Sequence, residues 1–487
     1  MKQKKVYNIV IVGGGTAGWS TAALLSANED FNVTVVDPST IPTIGVGEST
    51  LPHMNKTHRI MGFDVFENSL WLDEVEGTFK FSIFFKDFFR KGSSWINPFF
   101  MPTNLYADDF DTSLATMSGD LDLSFYGNQP SYVTDNYIFA NMQARGFQET
   151  SKDEPNTNAS FGGYHINASL YGNLLRTKTL ERSNAVRIDS EVDQIIGNDN
   201  VEKLILKDGT ELKADLFVDC TGFKALLLNH LNSPWDDSYN ERLLVDTAVA
   251  VQLPYLNKEV QQRNYTHCHA LENGWIWNVP LQSRIGTGYI FSSRHISTDE
   301  ATQRFTDYLV DTYGYDSKDI SPRKVPFNTG LRRESWKGNV VGVGLSSFFL
   351  EPIESTAIAQ LHVQGINIKL LLEASHIPFN LKAKRFNLNN NNAIDGIANY
   401  IEAHYLFSER KDSKFWRDVT SMPLDRVHKD MLRKFADPST HFDSTSIISE
   451  YAGQSMFDNM TYMFLLLGYG VGPNRPLNKE LSLRLQQ

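Results

Sequence analysis

At 487 residues, with 41% hydrophobic and 21% charged side chains, the chain has the composition of an ordinary globular protein, long enough for one large domain or two closely joined ones. A net charge of −11 without any long lysine or arginine run speaks against nucleic acid as a partner. Two cysteines, Cys220 and Cys268, cannot build a disulfide framework, so a reducing, cytoplasmic setting is expected.

Three of the first five residues are lysine and Val6 to Val12 is apolar, yet no small-residue cleavage site follows and the stretch is far too short to cross a membrane. Tyr7–Val12 instead predicts a strand buried on both faces. Gly13-Gly14-Gly15-Thr16-Ala17-Gly18 holds G-x-G-x-x-G, Trp19 to Ser26 predicts a helix of small residues, and Phe31 to Val36 a second strand ending at Asp37. In that order these elements make a dinucleotide site. Gly13 turns the chain, Gly15 admits the pyrophosphate, Gly18 lets helix and strand touch, and Asp37 accepts a ribose hydroxyl. Thr16 and Ala17 bring their N–H groups to the same anion.

Further along, Lys80 lies among Phe79, Phe81, Phe84 and Phe85. It reads either as a surface lysine whose stem covers the rings or as an amine set in apolar surroundings for chemistry. Ser151 to Asn158 is polar and predicts a loop. A hairpin, Val201–Leu206 and Glu211–Leu216 around Asp208-Gly209, leads into Asp219-Cys220-Thr221-Gly222, which resembles the second dinucleotide segment of FAD monooxygenase-type folds. His267-Cys268-His269 has no second cluster of ligands nearby, so no metal site is expected. Trp275 and Trp277, two apart on a strand, share a face. Asn339–Gly344 predicts a third buried strand. Ala357 to Glu373 predicts an amphipathic helix that Ser355 or Thr356 can cap, with N–H groups free to bind an anion. Asn387 to Asn392 predicts a loop between helices, and Ser455 to Gly470 is rich in Met, Phe and Leu.

Three dinucleotide-type segments imply an α/β, FAD monooxygenase-like fold of the glutathione-reductase type with a mainly helical C-terminal substrate region. The expected FAD module is discontinuous (1–95, 165–225, 325–373), and 96–164, 226–324 and 374–487 form the substrate-binding region. A second glycine fingerprint for NAD(P)H is missing.

Six ordered motifs are similar to those of the flavin-dependent halogenases of the tryptophan halogenase type: Gly13–Trp19, Ile44–Thr50, Gly77–Lys80, Gly274–Pro280, Phe349–Thr356, and His404-Tyr405 followed by Arg410, Asp412 and Phe415–Arg417. The resemblance implies FAD, used as FADH2, with O2 and a chloride, bromide or iodide ion as co-substrates. A separate NAD(P)H-dependent flavin reductase would supply the FADH2, and no membrane is involved. It makes Lys80 the residue that activates hypohalous acid and Glu354 its carboxylate partner. Gly47, Glu48, Ser49, Asp219, Gly222 and Gly344 join the flavin site. Halide lies at Ser355, Thr356 and Ala357, where the family usually has glycine in place of Ala357. Trp275, Trp277 and Pro280 wall the organic substrate off from the flavin-borne oxidant, with Val279 where isoleucine is usual. Phe99 and Asn97 face the substrate, Asn97 where histidine is common. A small indole, phenol or larger aromatic is the expected substrate, and a homo-oligomer the expected assembly. An aromatic hydroxylase of the same fold is the alternative, and a flavoprotein without catalysis a more distant one.

Overall fold

The computed structural model describes residues 6–40, 47–63, 71–99, 162–436, 456–457, 459–471 and 477–486. The basic first five residues, Ile44 to Val46, the Ser151–Asn158 stretch and part of Ser455–Gly470 lie outside the described residues. The chain forms two compact units. One comprises Met1–Thr78, His165–Tyr239 and Asn328–Ile394; the other comprises Phe79–Tyr164, Asn240–Phe327 and Asp395–Gln487.

The first unit is built on a six-stranded sheet with the order Trp336–Lys337, Val340–Gly342, Leu216–Asp219, Tyr7–Val12, Phe31–Val36, Val186–Ile188. All neighbours except the first pair run parallel. Strands covered on both faces must be apolar throughout, as Tyr7–Val12 and Leu216–Asp219 largely are. On one face Val10, Val12 and Phe217 pack with Leu204 and Leu206 of a small antiparallel sheet and with Val201 just before it. This sheet contains the predicted hairpin with its arms shortened to Lys203–Leu206 and Glu211–Leu212, since Leu216 already belongs to the six-stranded sheet; its turn glycine Gly209 has φ +85°, and a third strand, Val192–Ile196, joins it. The helix Thr16–Ser26 packs against two others, Ala168–Arg182 and Thr356–Glu373. The latter is buried around much of its circumference rather than along one stripe.

The second unit carries a seven-stranded sheet, in the order Arg323–Pro326, Thr247–Pro254, Arg284–Phe291, Gly274–Pro280, Tyr265–Ala270, Ser82–Lys86, Ser94–Pro98. Helix Thr298–Tyr313, opened by a Ser297/Glu300 capping box, lays Phe305 and Leu309 on Val249, Ile276, Tyr289 and Phe291. Because side chains alternate along a strand, Ile276 on the covered face puts Trp275 and Trp277 on the other.

The asparagine-rich stretch corrects the sequence reading. Asn387 to Asn392 is not a loop but lies inside the 28-residue helix Phe379–Leu406. Asparagine's poor helix propensity is offset by tertiary partners: Asn387 Nδ2 donates to Trp336 O (2.9 Å), Asn390 Nδ2 to Ser335 Oγ (3.2 Å) and Asn391 Nδ2 to Arg333 O (3.1 Å).

Four helices of the first unit also share a buried polar chain. His58 Nε2 lies 2.9 Å from Tyr171 OH, and Tyr171 bonds Ser20, whose Oγ is 3.3 Å from His362 Nε2. The His362 ring faces that of His53 at 5.8 Å, and both His53 ring nitrogens are buried without a hydrogen-bond partner. Burial pushes His53 down to about 4, His58 to about 3, and His362 well below the usual imidazole value. The folded state therefore refuses protons that the unfolded chain takes up below pH ~6.5. Stability contributed by the neutral imidazoles is complete above that pH and is lost as pH falls towards 4, by about 1 kcal/mol per histidine per unit. Thermal midpoints measured between pH 7.5 and 5 should fall steeply and flatten in His53→Gln; a wild-type midpoint that stays level would contradict this account.

Candidate functional site

The level ends of three parallel strands in the first unit bring the glycine segments together. Cys220 N–H donates to Val12 O (2.8 Å), Val343 N–H to Asp219 O (3.0 Å), and Gly13 N–H to Val36 O (2.9 Å). Gly13 has φ +109°, which an L side chain rarely adopts, and a Cβ there would lie 2.4 Å from Cys220 O. A Cβ on Gly18 would lie 1.8 Å from Gly13 O, so the helix can start here only on glycine. Gly15, at the helix N-cap, would place its Cβ in open space, and the first turn carries no acidic residue. The N–H groups of Thr16, Ala17 and Gly18 thus face an open, positive helix end that fits a pyrophosphate. Thr16 Oγ1 fastens the turn to Ala168 O (3.1 Å), and Gly344 approaches Ala17.

Asp37 ends the second strand, with Oδ2 accepting from Trp19 Nε1 (3.2 Å) and Arg187 Nε (2.9 Å). Its Oδ1 lies where a Cβ of Gly14 would be, at 1.8 Å, so Gly14 is required too, although the motif leaves that position open. These features fit the ribose and pyrophosphate of FAD. Asp219, at the end of its strand, is fully buried. Its carboxylate accepts from Thr221 N (3.0 Å), Thr221 Oγ1 (2.7 Å), Leu227 N (2.8 Å) and Leu228 N (3.0 Å). These bonds hold the loop that carries Gly222, whose φ is +66°. Gly47 (φ +113°) precedes Glu48 and Ser49, which pair with Ile166 and His165. Burial pushes the Glu48 carboxyl up to about 7, so it is close to half-neutral at physiological pH.

At the start of helix Thr356–Glu373, Ser355 adopts φ 58°, ψ 34°, and no side chain caps the helix, contrary to the expected Ser355 or Thr356 cap. The left-handed turn costs about 1 kcal/mol and leaves the N–H groups of Thr356 and Ala357 without intrahelical acceptors. Glu354 and Thr356 are buried and Ala357 half-buried. Gln364 on the same helix accepts from Gly344 N–H (2.9 Å), fixing the helix against the glycine turn.

In the second unit, Lys80 is fully buried, which excludes the surface-lysine reading. Its Nζ stands 4.8 Å from the centroid of the Phe99 ring, a cation–π distance that offsets part of the desolvation cost. Trp275 and Trp277 meet edge to face at 6.4 Å. The Trp277 indole lies over Gly288, where a Cβ would come within 2.0 Å of the ring. Pro280 ends the same strand and is buried. Asn97 is 1% exposed and donates Nδ2 to Tyr400 OH (3.1 Å).

Other singled-out residues prove architectural. His269 is held between Asp87 (2.9 Å) and Tyr308 (3.1 Å). Arg410 forks onto Asp412 (2.9 Å on both arms), holding that carboxyl well below its usual range, and stacks on Trp416 at 4.5 Å. Among the described residues, Glu402, Asp425 and His428 cluster as metal ligands do. However, the Arg242 guanidinium already sits on Glu402 (Nε–Oε1 2.7 Å), and His428 bonds Asp425 (2.8 Å) and Asn399 O (2.9 Å). No sequence motif announced this knot, because its members come from separate segments.

A largely parallel sheet with a glycine-lined anion cradle at its strand ends defines a dinucleotide-binding protein. The chain belongs to the tryptophan halogenase family, whose sequence profile matches residues 8–482. It is 30% identical to the tryptophan 6-halogenase of Streptomyces toxytricini, over 98% of this chain and 92% of that one. Identity to the tryptophan 7-halogenase of Lentzea aerocolonigenes is 28%, over 97% and 91%. A tryptophan halogenase structure from Shewanella frigidimarina superposes with TM-score 0.82 at 28% identity, covering 100% of this chain and 93% of that one. A flavin-dependent halogenase of Brevundimonas gives 0.77 at 28% identity, covering 99% and 96%. The protein is an FAD-dependent enzyme that halogenates an aromatic substrate with FADH2, halide and O2, and it relies on a separate flavin reductase. These relatives are halogenases, and nothing among them favours the hydroxylase alternative. No helix among the described residues is long and apolar enough to cross a membrane.

The two glycines should separate by experiment. Gly15→Ala is expected to fold with an unchanged thermal midpoint yet bind FAD about ten-fold or more weakly, because its methyl group occupies cofactor space. Gly18→Ala should lose stability even without FAD. Equal effects of the two changes in fluorescence-monitored FAD titration and thermal melts would refute this assignment.

Proposed function

We propose that Lys80 receives hypohalous acid and directs its halogen to an electron-rich indole- or phenol-type ring. The observation that carries this reading is a completely buried lysine whose Nζ stands 4.8 Å from the Phe99 ring, a setting that an ammonium enters only at a cost. Bound as FADH2, the cofactor together with O2 supplies the oxidising equivalent that turns halide into hypohalous acid. The residues do the rest. The N–H groups of Thr356 and Ala357 hold the halide beside Ser355. Trp275, Trp277 and Pro280 keep the organic ring from the oxidant, so that oxygen goes to halide and not to carbon. Lys80 either polarises the hypohalous acid through a hydrogen bond or takes the halogen as a haloamine with release of water. The ring carbon then forms its bond to halogen, and Glu354 accepts the displaced ring proton. Phe99 supplies the apolar floor on which the substrate ring rests. The reductase partner is NAD(P)H-dependent, and the enzyme works as a homo-oligomer.

Lys80→Ala should lower product formation from an indole and phenol panel on the order of 10²–10⁴-fold while FADH2 oxidation continues at the wild-type rate. Undiminished halogenation, or hydroxylated products from the wild type, would overturn the reading. Ala357→Gly removes a methyl group from the halide turn and should change the ratio of brominated to chlorinated product several-fold in mixed-halide competition, read by mass spectrometry. An unchanged ratio would remove Ala357 from the halide site.

A further inference from the structure

The carboxylate that closes the second strand of the first unit is held unevenly. Asp37 Oδ2 accepts from Trp19 Nε1 (3.2 Å) and Arg187 Nε (2.9 Å), and Arg176 Nη1 stands 3.8 Å from the same oxygen. Two donors occupy the two lone pairs of that oxygen. Oδ1 has no hydrogen-bond partner among the described residues and lies against Gly14, beside the position a Cβ there would take. One oxygen is thus committed to the fold, while the other borders the glycine cradle.

The restraint is forked. Arg187 Nη2 donates to the main-chain oxygen of Asp37 (2.8 Å) while its Nε holds the side chain, and Nη2 also stands 3.3 Å from Asp189 Oδ2. A planar guanidinium that grips the main chain and the side chain of one residue fixes the rotamer between them. The main chain beneath it is anchored too, since Asp37 N–H donates to Ile188 O (3.0 Å) and Ser39 N–H to Asp189 Oδ1 (2.7 Å). Trp19 is 1% exposed on the helix Thr16–Ser26 and is fixed by its packing. The two strands already pair through Val36 and Ile188, so their alignment does not need the arginine.

We infer that Arg187 and Trp19 are positioning residues that aim Asp37 Oδ1 at a hydroxyl of the adenosine ribose, and that they set how strongly the site prefers ribose to deoxyribose in its adenine nucleotide. This rests on the reading that Asp37 accepts from the ribose. A carboxylate loose in its rotamer loses freedom when it binds, and that loss is subtracted from the bond it makes. A carboxylate pinned at Oδ2 has lost the freedom in folding, so its bond to the hydroxyl appears more fully as affinity. Removing the pins weakens recognition of the hydroxyl and leaves the N–H groups at the helix start in place.

The test displaces FAD from the full-length protein with ADP, 2′-deoxy-ADP and 3′-deoxy-ADP and reads flavin fluorescence. The wild type should bind ADP about ten-fold or more tightly than at least one deoxy form. Arg187→Met keeps the stem without the donors, and Trp19→Phe keeps an aromatic ring without Nε1; each should bring that ratio below about three. Arg187→Lys keeps the charge but cannot fork, and should group with Arg187→Met. A residue that only ties strands together would lower the affinity for ADP and both deoxy forms alike and leave the ratio as it was. Wild-type ratios near one for both deoxy forms, or a ratio that neither Arg187→Met nor Trp19→Phe changes, overturn the inference. Asp37→Ala separates the two readings. A ratio that survives Asp37→Ala defeats ribose recognition by Asp37. A ratio lost in Asp37→Ala but kept in the Arg187 and Trp19 variants defeats positioning alone.

Discussion

The flavin unit depends on how closely the backbone at the start of one helix approaches the end of the strand before it. With Gly18 packed so near Gly13 that a Cβ would lie 1.8 Å from the carbonyl oxygen, the helix axis points its N–H groups at the edge of the parallel sheet. Once that contact exists, the loops after Asp219 and Gly342 are drawn to the same edge by backbone hydrogen bonds, and Asp37 is brought against Gly14. Anion recognition then needs no lysine or arginine, because the helix end and its unpaired donors supply the positive potential.

A second expenditure of stability is made in the other unit. Removing a lysine from water is expensive, and a ring face at 4.8 Å returns only part of that cost. The surrounding architecture is correspondingly rigid: Phe85 stacks on Trp95 at 4.4 Å, Gly468 makes room for Trp95, and Gly288 makes room for Trp277. Each of these glycines serves a large ring on a neighbouring segment, so the site's shape is set by pairs in which one residue yields its side chain. The Arg410–Asp412 fork and Trp416, a prominent part of the family signature, contribute in the same structural sense.

Much of this was legible in the chain itself. Tyr7–Val12 and Phe31–Val36 form with the bounds their apolar runs indicate, and the hairpin turn falls on Asp208-Gly209. What escaped notice has a common cause. Asn387 to Asn392 looked like a loop because its stabilising partners, among them Trp336, Ser335 and Arg333, lie some fifty residues away. Ser355 has the chemistry of a cap but adopts a left-handed turn and makes no side-chain cap hydrogen bond.

The sequence by itself determined the order of elements and the glycine cradle, because these rest on local periodicity and on residue types whose chemistry does not depend on context. Tertiary structure alone decided that Lys80 is a buried amine and that Asn387 to Asn392 is helix. Those outcomes depend on desolvation and on hydrogen-bond partners from distant segments, and neither exists until the chain has folded.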